Sequence, residues 1–152
     1  MADVSVQREY LLAAPPQAVF DAWTDPAALL QWWCPGPARA THVALDVRAG
    51  GRYEIRMTAG PRGVPQVVSG EYVTVEPPHR LVMTWQAEGT PHDNAGLPSL
   101  LSLELHAHPQ GTRLLLTHER LPAGSGASYS GGWAEVLPAL ARFVHRPLPP
   151  GA

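Results

Sequence analysis

The sequence predicts one α+β domain in which every strand is antiparallel. Three patterns carry this prediction: a period-two segment at the start, six further strand-like segments cut by turn residues, and an amphipathic helix at the end. Successive strands with short connections run antiparallel, since a parallel pair needs a crossover of about a dozen or more residues. A chain of 152 residues is long enough for such a domain to bury its own core.

The opening segment from Val4 to Leu12 alternates between two faces, which is typical of a strand. Pro15 and Pro16 end it. After them, Val19, Phe20 and Trp23 fall on one face of a short helix. The sequence therefore predicts a strand followed by a helix that buries one side.

A second short helix is predicted to begin at Pro26. Asp25 suits the capping position, and proline suits the first helical position because its missing amide has no intrahelical acceptor there. The run Cys-Pro-Gly-Pro at residues 34–37 ends it, since proline cannot continue a helix. We expect its apolar side to consist of Leu29, Leu30 and Trp33.

The middle of the chain predicts a series of strands separated by Gly- and Pro-containing turns. The longer segment between Glu88 and Ser99 is polar and contains Gly, Pro, Asp and Asn, so we expect a mobile loop there. The predicted strands are 41–46, 51–58, 66–76, 80–87, 100–108 and 112–121.

A helix from Gly132 to Arg146 closes the domain, with Pro138 inside it as a source of a kink. It is long enough to cross several strands, so a bent sheet is expected to wrap around it and leave a cavity beside it. The domain should span residues 1–146, with a disordered tail at 147–152. The buried stripe of the helix consists of Trp133, Val136, Leu137, Leu140 and Val144.

The composition excludes several classes of protein. The net charge is -2, from 13 acidic residues and 11 basic ones, so affinity for nucleic acid is not expected. A single cysteine, Cys34, cannot form an internal disulfide. The first residues carry no signal-peptide pattern, and no run of residues is apolar enough to span a membrane. We therefore expect a soluble, cytoplasmic domain.

Several motifs together resemble the activator of heat-shock protein 90 ATPase homologue-like family. They cover nearly the whole chain, in an order and spacing similar to those of the family. The segments are Phe-Asp-Ala-Trp-Thr-Asp-Pro at 20–26, Gln-Trp-Trp at 31–33, Asp-Val-Arg-Ala-Gly-Gly-Arg-Tyr at 46–53, Gly-Glu-Tyr at 70–72, the run 76–85, the run 112–118, and Gly-Trp at 132–133.

This resemblance implies the START-like, helix-grip fold of the SRPBCC superfamily, in which about seven antiparallel strands wrap around a long C-terminal helix. The superfamily includes lipid carriers, polyketide cyclases and many uncharacterised bacterial proteins. The eukaryotic activators carry an additional N-terminal domain that contacts the chaperone. The resemblance thus implies a fold more narrowly than it implies a function.

Five tryptophans in so short a chain suggest a binding site as well as a core. Aromatic side chains make apolar walls, and their polar atoms can orient a ligand. We expect these residues to line a cavity: Trp23, Trp33, Tyr53, Tyr72, Trp85, His118, Trp133 and Leu137.

His118 is the one candidate for a catalytic group, as a general base. It alternates with Leu114 and Leu116 and should share their face. The sequence shows no second residue with a defined role beside it, so a core histidine is the simpler interpretation.

The remaining polar residues indicate no metal or cofactor site. His106 and His108 share a strand face without a third ligand at a recognisable interval. Cys34 has no basic neighbour that would make it reactive. The charged strand residues are expected to face solvent or to meet a polar group of a ligand: Arg52, Glu54, Arg56, Glu71 and Glu104.

Three functions remain open on the sequence alone. The first is a domain that binds a small, largely apolar ligand between the sheet and the last helix, with the segment between Glu88 and Ser99 near the entrance. The second is a co-chaperone that stimulates a heat-shock protein 90 ATPase. The third is a cofactor-independent cyclase or hydrolase that uses His118. The protein is expected to be a monomer or a homodimer.

Overall fold

The computed structural model describes residues 4–33, 39–59, 65–88, 98–121 and 126–145. Cys34, residues 89–97 of the expected loop and the expected tail at 147–152 lie outside these ranges. The strands and helices, in chain order, are β1 Val4–Leu12, α1 Pro16–Thr24, α2 Pro26–Trp32, β2 Ala40–Leu45, β3 Arg52–Ala59, β4 Pro65–Glu76, β5 Arg80–Glu88, β6 Ser99–His108, β7 Gly111–Leu121 and α3 Gly126–Val144.

The strands form one sheet of seven with the order β1-β7-β6-β5-β4-β3-β2. Every neighbouring pair is antiparallel, and the strand bounds differ from the predicted ones by one residue at most. The predicted α+β, helix-grip architecture is confirmed. None of the helices that the structure describes is both long and apolar enough to cross a membrane.

The last helix begins earlier than predicted. It starts at Gly126 instead of Gly132, and Pro138 lies inside it. Its first residues are glycines, serines, an alanine and a tyrosine, a set with low helix propensity that gives no helical signal in the sequence. The expected buried stripe is confirmed from Trp133 to Leu140, whose members are at most 3% exposed, whereas Val144 at its end is half-buried.

The predicted apolar side of the second helix is partly wrong. Leu29 and Trp33 are buried as expected, but Leu30 is 46% exposed, and Trp32 takes the inner position with 1% exposure. The indole N–H of Trp32 donates to the Ala22 carbonyl at 2.9 Å. A helix of seven residues makes less than two full turns, so this contact with α1 decides which side is buried.

The charged strand residues face solvent, which is the first of the two orientations expected for them. Arg52 pairs with Glu71 at 3.1 Å, and Arg56 pairs with Glu54 at 2.9 Å. The Arg52–Glu71 pair is more than half exposed on both sides, where an ion pair contributes at most about 1 kcal/mol. These pairs lie on the exposed face of the sheet, opposite the face that packs against the core.

The inner face of the sheet is aliphatic at one end. Leucines fill this end at the close of β1, the start of β5 and the turn between β6 and β7. We call this set the aliphatic region. It comprises Leu12, Leu81, Leu103, Leu105, Leu114 and Leu140, each at most 3% exposed.

Gly70 marks the point where β4 and β5 approach most closely. A Cβ atom there would lie 2.1 Å from the carbonyl oxygen of Thr84. Tyr53 is the register partner of Gly70, and its hydroxyl reaches over to donate to the same Thr84 carbonyl at 2.6 Å. The glycine thus makes room for the Thr84 carbonyl oxygen, which a side chain at this position would displace.

We predict that Gly70→Ala lowers the free energy of unfolding by about 2 kcal/mol, because the added methyl group forces two strands apart. Ser69→Ala is the matched control, since Ser69 is the half-buried neighbour on the same strand, and it should change stability by less than about 0.5 kcal/mol. Urea unfolding of the three proteins measures this. Equal stability of the two variants would contradict the role given to Gly70.

Candidate functional site

All five tryptophans of the chain lie in one contiguous cluster. The ring centroids of contacting pairs are 4.9 to 6.2 Å apart, and most of these pairs meet edge to face. Each tryptophan is at most 5% exposed. Two further rings join them, one from β7 and one from α3. The aromatic cluster comprises Trp23, Trp32, Trp33, Trp85, Trp133, His118 and Tyr129.

The cluster depends on the tight connection between α1 and α2. The side chain of Asp25 accepts a hydrogen bond from the Ala27 amide at 3.1 Å and so caps α2 directly after α1 ends. This connection places Trp23 and Trp32 edge to face at 4.9 Å. Trp33 follows as the C-cap of α2, and its N–H donates to the Met57 sulfur at 3.2 Å.

A chain of hydrogen bonds crosses the cluster from helix to sheet. The indole N–H of Trp133 on α3 donates to Nδ1 of His118 at 3.2 Å. Nε2 of His118 on β7 lies 2.8 Å from Oγ of Ser99 on β6, and that hydroxyl donates to the Trp85 carbonyl on β5 at 3.0 Å. One polar chain therefore connects α3 with three adjacent strands.

The donors in this chain fix the tautomer of His118. An indole nitrogen can only donate, so Nδ1 must be the unprotonated acceptor. The proton of the neutral ring then sits on Nε2 and is donated to Ser99, whose own proton goes to the Trp85 carbonyl. Every polar atom in the chain is satisfied by this one arrangement.

Burial keeps the imidazole of His118 neutral. The residue has no measurable exposure, and this desolvation lowers the pKa of His118 to about 3. A ring that donates to Ser99 does not accept the serine proton, and both of its nitrogens are occupied. The geometry therefore favours a structural His118 over the general base considered from the sequence.

The predicted wall residues fall into two groups. Trp23, Trp33, Trp85, His118 and Trp133 belong to the aromatic cluster, and Leu137 follows Trp133 by one turn of α3. Among the ring contacts of the described residues, Tyr53 and Tyr72 contact each other instead, at 5.4 Å.

The two tyrosines are uncharged side chains at neutral pH. Burial raises the pKa of the Tyr53 hydroxyl, with Tyr72 adding to the effect. Burial also raises the pKa of Tyr72, with a smaller contribution from Asp46. Because the hydroxyl of Tyr53 already donates to the Thr84 carbonyl, this pair offers a mainly apolar surface.

Sequence reasoning missed three members of this site: Trp32, Ser99 and Tyr129, whose ring lies 5.0 Å from that of His118. Ser99 is in phase with Leu101 and Leu103 on β6, so strand alternation would have placed it on the inner face. Trp32 gave no such signal, because its direction follows from the contact with α1. Ser99 and Tyr129 lie in none of the family motifs, and the Gln-Trp-Trp motif at 31–33 does not show which of its two tryptophans is the more deeply buried.

The histidines outside the cluster do not assemble a metal site. His106 lies 3.7 Å from Glu104 at the surface, and Nδ1 of His108 accepts from the Gln110 amide at 3.1 Å. Within the described ranges, no three His, Cys, Asp or Glu side chains gather around one point.

Comparison with known proteins now decides the family. The model of the family described as Activator of Hsp90 ATPase homolog 1-like protein matches residues 13–145. The chain belongs to this family. The match includes every residue of the aromatic cluster, and the family resemblance drawn from the sequence motifs is confirmed. Among curated proteins, no relative matches.

Several solved structures share this fold over nearly the full length of both chains. A protein from Chromobacterium violaceum is 25% identical with a TM-score of 0.80, over 95% of this chain and 99% of that one. An uncharacterized protein from Rhizobium leguminosarum is also 25% identical, with a TM-score of 0.81 over 96% and 97%. The AHSA1-like protein of Aeromonas hydrophila, 22% identical, has a TM-score of 0.77 over 96% and 99%, which shows the shared fold.

We predict that His118 makes the domain acid-labile. Its folded pKa of about 3 lies below the ordinary value of about 6.5, so the unfolded chain binds a proton that the folded chain does not. Stability is therefore lost as the pH falls from about 6.5 towards 3, by up to about 1.4 kcal/mol per pH unit.

Denaturant unfolding at a series of pH values measures this slope. His118→Gln keeps an amide that can donate and accept but cannot titrate, so its stability should fall less steeply over the same range. His42→Gln, at an exposed position of β2, is the control and should keep the wild-type slope. Parallel curves for wild type and His118→Gln would contradict the burial argument.

Proposed function

We propose that this domain binds one small, largely apolar, uncharged molecule at the aromatic cluster, between the sheet and α3. The observation that carries the proposal is the gathering of all five tryptophans at one place in the interior. Flat indole faces supply large apolar contact area, and each indole also carries a polar N–H that can orient a ligand.

The contrast with the aliphatic region supports a role beyond packing. Buried leucines occupy the other end of the inner face, so close packing there does not rely on a concentration of aromatic rings. Six of the residues proposed to contact the ligand meet at or beside the cluster, and two extend the apolar surface along β3 and β4. They are Trp23, Trp33, Trp85, His118, Trp133 and Leu137, with Tyr53 and Tyr72.

The polar atoms of the cluster favour an uncharged ligand. His118 stays neutral, and Ser99 is bonded on both sides to His118 and the Trp85 carbonyl. Burying a charge without a partner costs far more free energy than the apolar contacts of the ligand contribute. A ligand that is mostly hydrocarbon or aromatic suits these surroundings.

Native mass spectrometry of the protein purified gently from cells tests this proposal. We expect one small molecule at near-stoichiometric occupancy, identified after denaturation. Protein that is free of small molecules in repeated preparations, and that takes up none from a panel of neutral aromatic compounds, would contradict the proposal.

We predict that Trp85→Leu lowers the affinity for the bound molecule at least about 10-fold, because it removes the indole that contacts both Trp33 and Trp133. Leu105→Val is the matched control, since it also truncates a buried side chain, but in the aliphatic region. It should leave affinity unchanged. Isothermal titration calorimetry on folded variants measures both, and similar losses in the two would place the site elsewhere.

The family match favours a second candidate function, stimulation of a heat-shock protein 90 ATPase. The family description itself names this activity. An ATPase assay with purified heat-shock protein 90 tests it: a rate that rises with added protein and saturates would support the candidate. An unchanged rate at saturating concentration would exclude it and leave ligand binding as the proposal.

A further inference from the structure

The N–H group of Trp23 differs from those of its neighbours in the cluster. Trp32, Trp33 and Trp133 donate to the Ala22 carbonyl, the Met57 sulfur and His118 respectively. The Trp23 side chain is 5% exposed, and its indole nitrogen has no hydrogen-bond partner among the described residues.

A buried donor without an acceptor is costly, and folded proteins keep few of them. The Trp23 ring cannot satisfy its N–H by turning outward, because it packs against Trp32 at 4.9 Å, Trp33 at 6.1 Å and Trp133 at 6.2 Å. The same contacts place the Trp23 ring inside the aromatic cluster, and its nitrogen is buried there. An acceptor atom carried by a ligand would remove the cost.

We propose that Trp23 is the specificity-determining residue of the site and that its N–H binds a neutral acceptor oxygen, such as a carbonyl oxygen, on an otherwise apolar ligand. This inference rests on the proposed ligand-binding function and narrows its chemical class. A hydrocarbon would leave the N–H unsatisfied. A carboxylate would accept its hydrogen bond but would lose its hydration for a single neutral donor, which does not compensate a buried charge.

Two probes of nearly equal shape separate these cases. 1-Indanone carries a carbonyl oxygen, and indane has the same fused rings without it. We expect the protein to bind 1-indanone about 10-fold more tightly than indane, the range of one hydrogen bond that satisfies a buried donor. In spectra of ¹⁵N-labelled protein, the indole signal of Trp23 should shift strongly with 1-indanone and only weakly with indane.

Substitutions test whether the preference for 1-indanone over indane comes from the N–H group of Trp23. Trp23→Phe should bind the two probes with equal affinity, since it keeps an aromatic ring and loses the donor. Trp33→Phe is the matched control: it removes an N–H that already donates to Met57, so any loss of affinity should fall on both probes alike and the preference for 1-indanone should remain. If Trp23→Phe does not fold, the wild-type comparison and the indole signal carry the test.

The outcomes distinguish the two proposals. Equal binding of both probes by the wild type would overturn the role of Trp23 and leave the apolar site standing. A preference for 1-indanone that persists in Trp23→Phe would likewise overturn it. Failure of both probes to bind at their solubility limits would overturn the ligand-binding function together with this inference.

Discussion

The hydrogen-bond chain from Trp133 through His118 and Ser99 to the Trp85 carbonyl is the interaction on which the interior depends. It is the polar connection that ties α3 to three strands inside an otherwise apolar cluster. Each donor has one acceptor, so the chain works only with a neutral imidazole protonated on Nε2. Buried polar networks of this kind are stabilising when complete and costly when one member is lost. The position of the long helix over the sheet therefore depends on the protonation state of one histidine.

The two ends of the inner face of the sheet differ in composition and in what they contribute to the domain. The aliphatic region supplies stability by the ordinary route of close-packed leucines. The aromatic cluster supplies contact area with polar atoms at fixed positions, and these are the properties that a ligand site needs. A structural role for His118 agrees with this division, since a neutral, fully bonded imidazole connects Trp133 to Ser99.

Alternation and turn chemistry were sufficient to predict the antiparallel strands, and they also placed His118 on the same face as Leu114 and Leu116 but left the direction of that face open. The start of α3 was missed since its first residues have little helix propensity. The burial of Trp32 in place of Leu30 depends on contact with α1, which no local pattern encodes. The pairing of Ser99 with His118 depends on the register of β6 against β7. For the same reason the sequence suggested the cavity residues individually but did not show that five of them form one cluster while Tyr53 and Tyr72 form a separate pair.

The protonation of the His118 ring is the most direct test of this account. Nitrogen NMR of histidine-labelled protein distinguishes a protonated from an unprotonated ring nitrogen. The account predicts that His118 is protonated on Nε2 and unprotonated on Nδ1, and that neither signal moves between pH 8 and pH 5. A proton on Nδ1, or a charged ring that titrates within this range, would contradict the account, because Trp133 would then have no acceptor at the centre of the cluster.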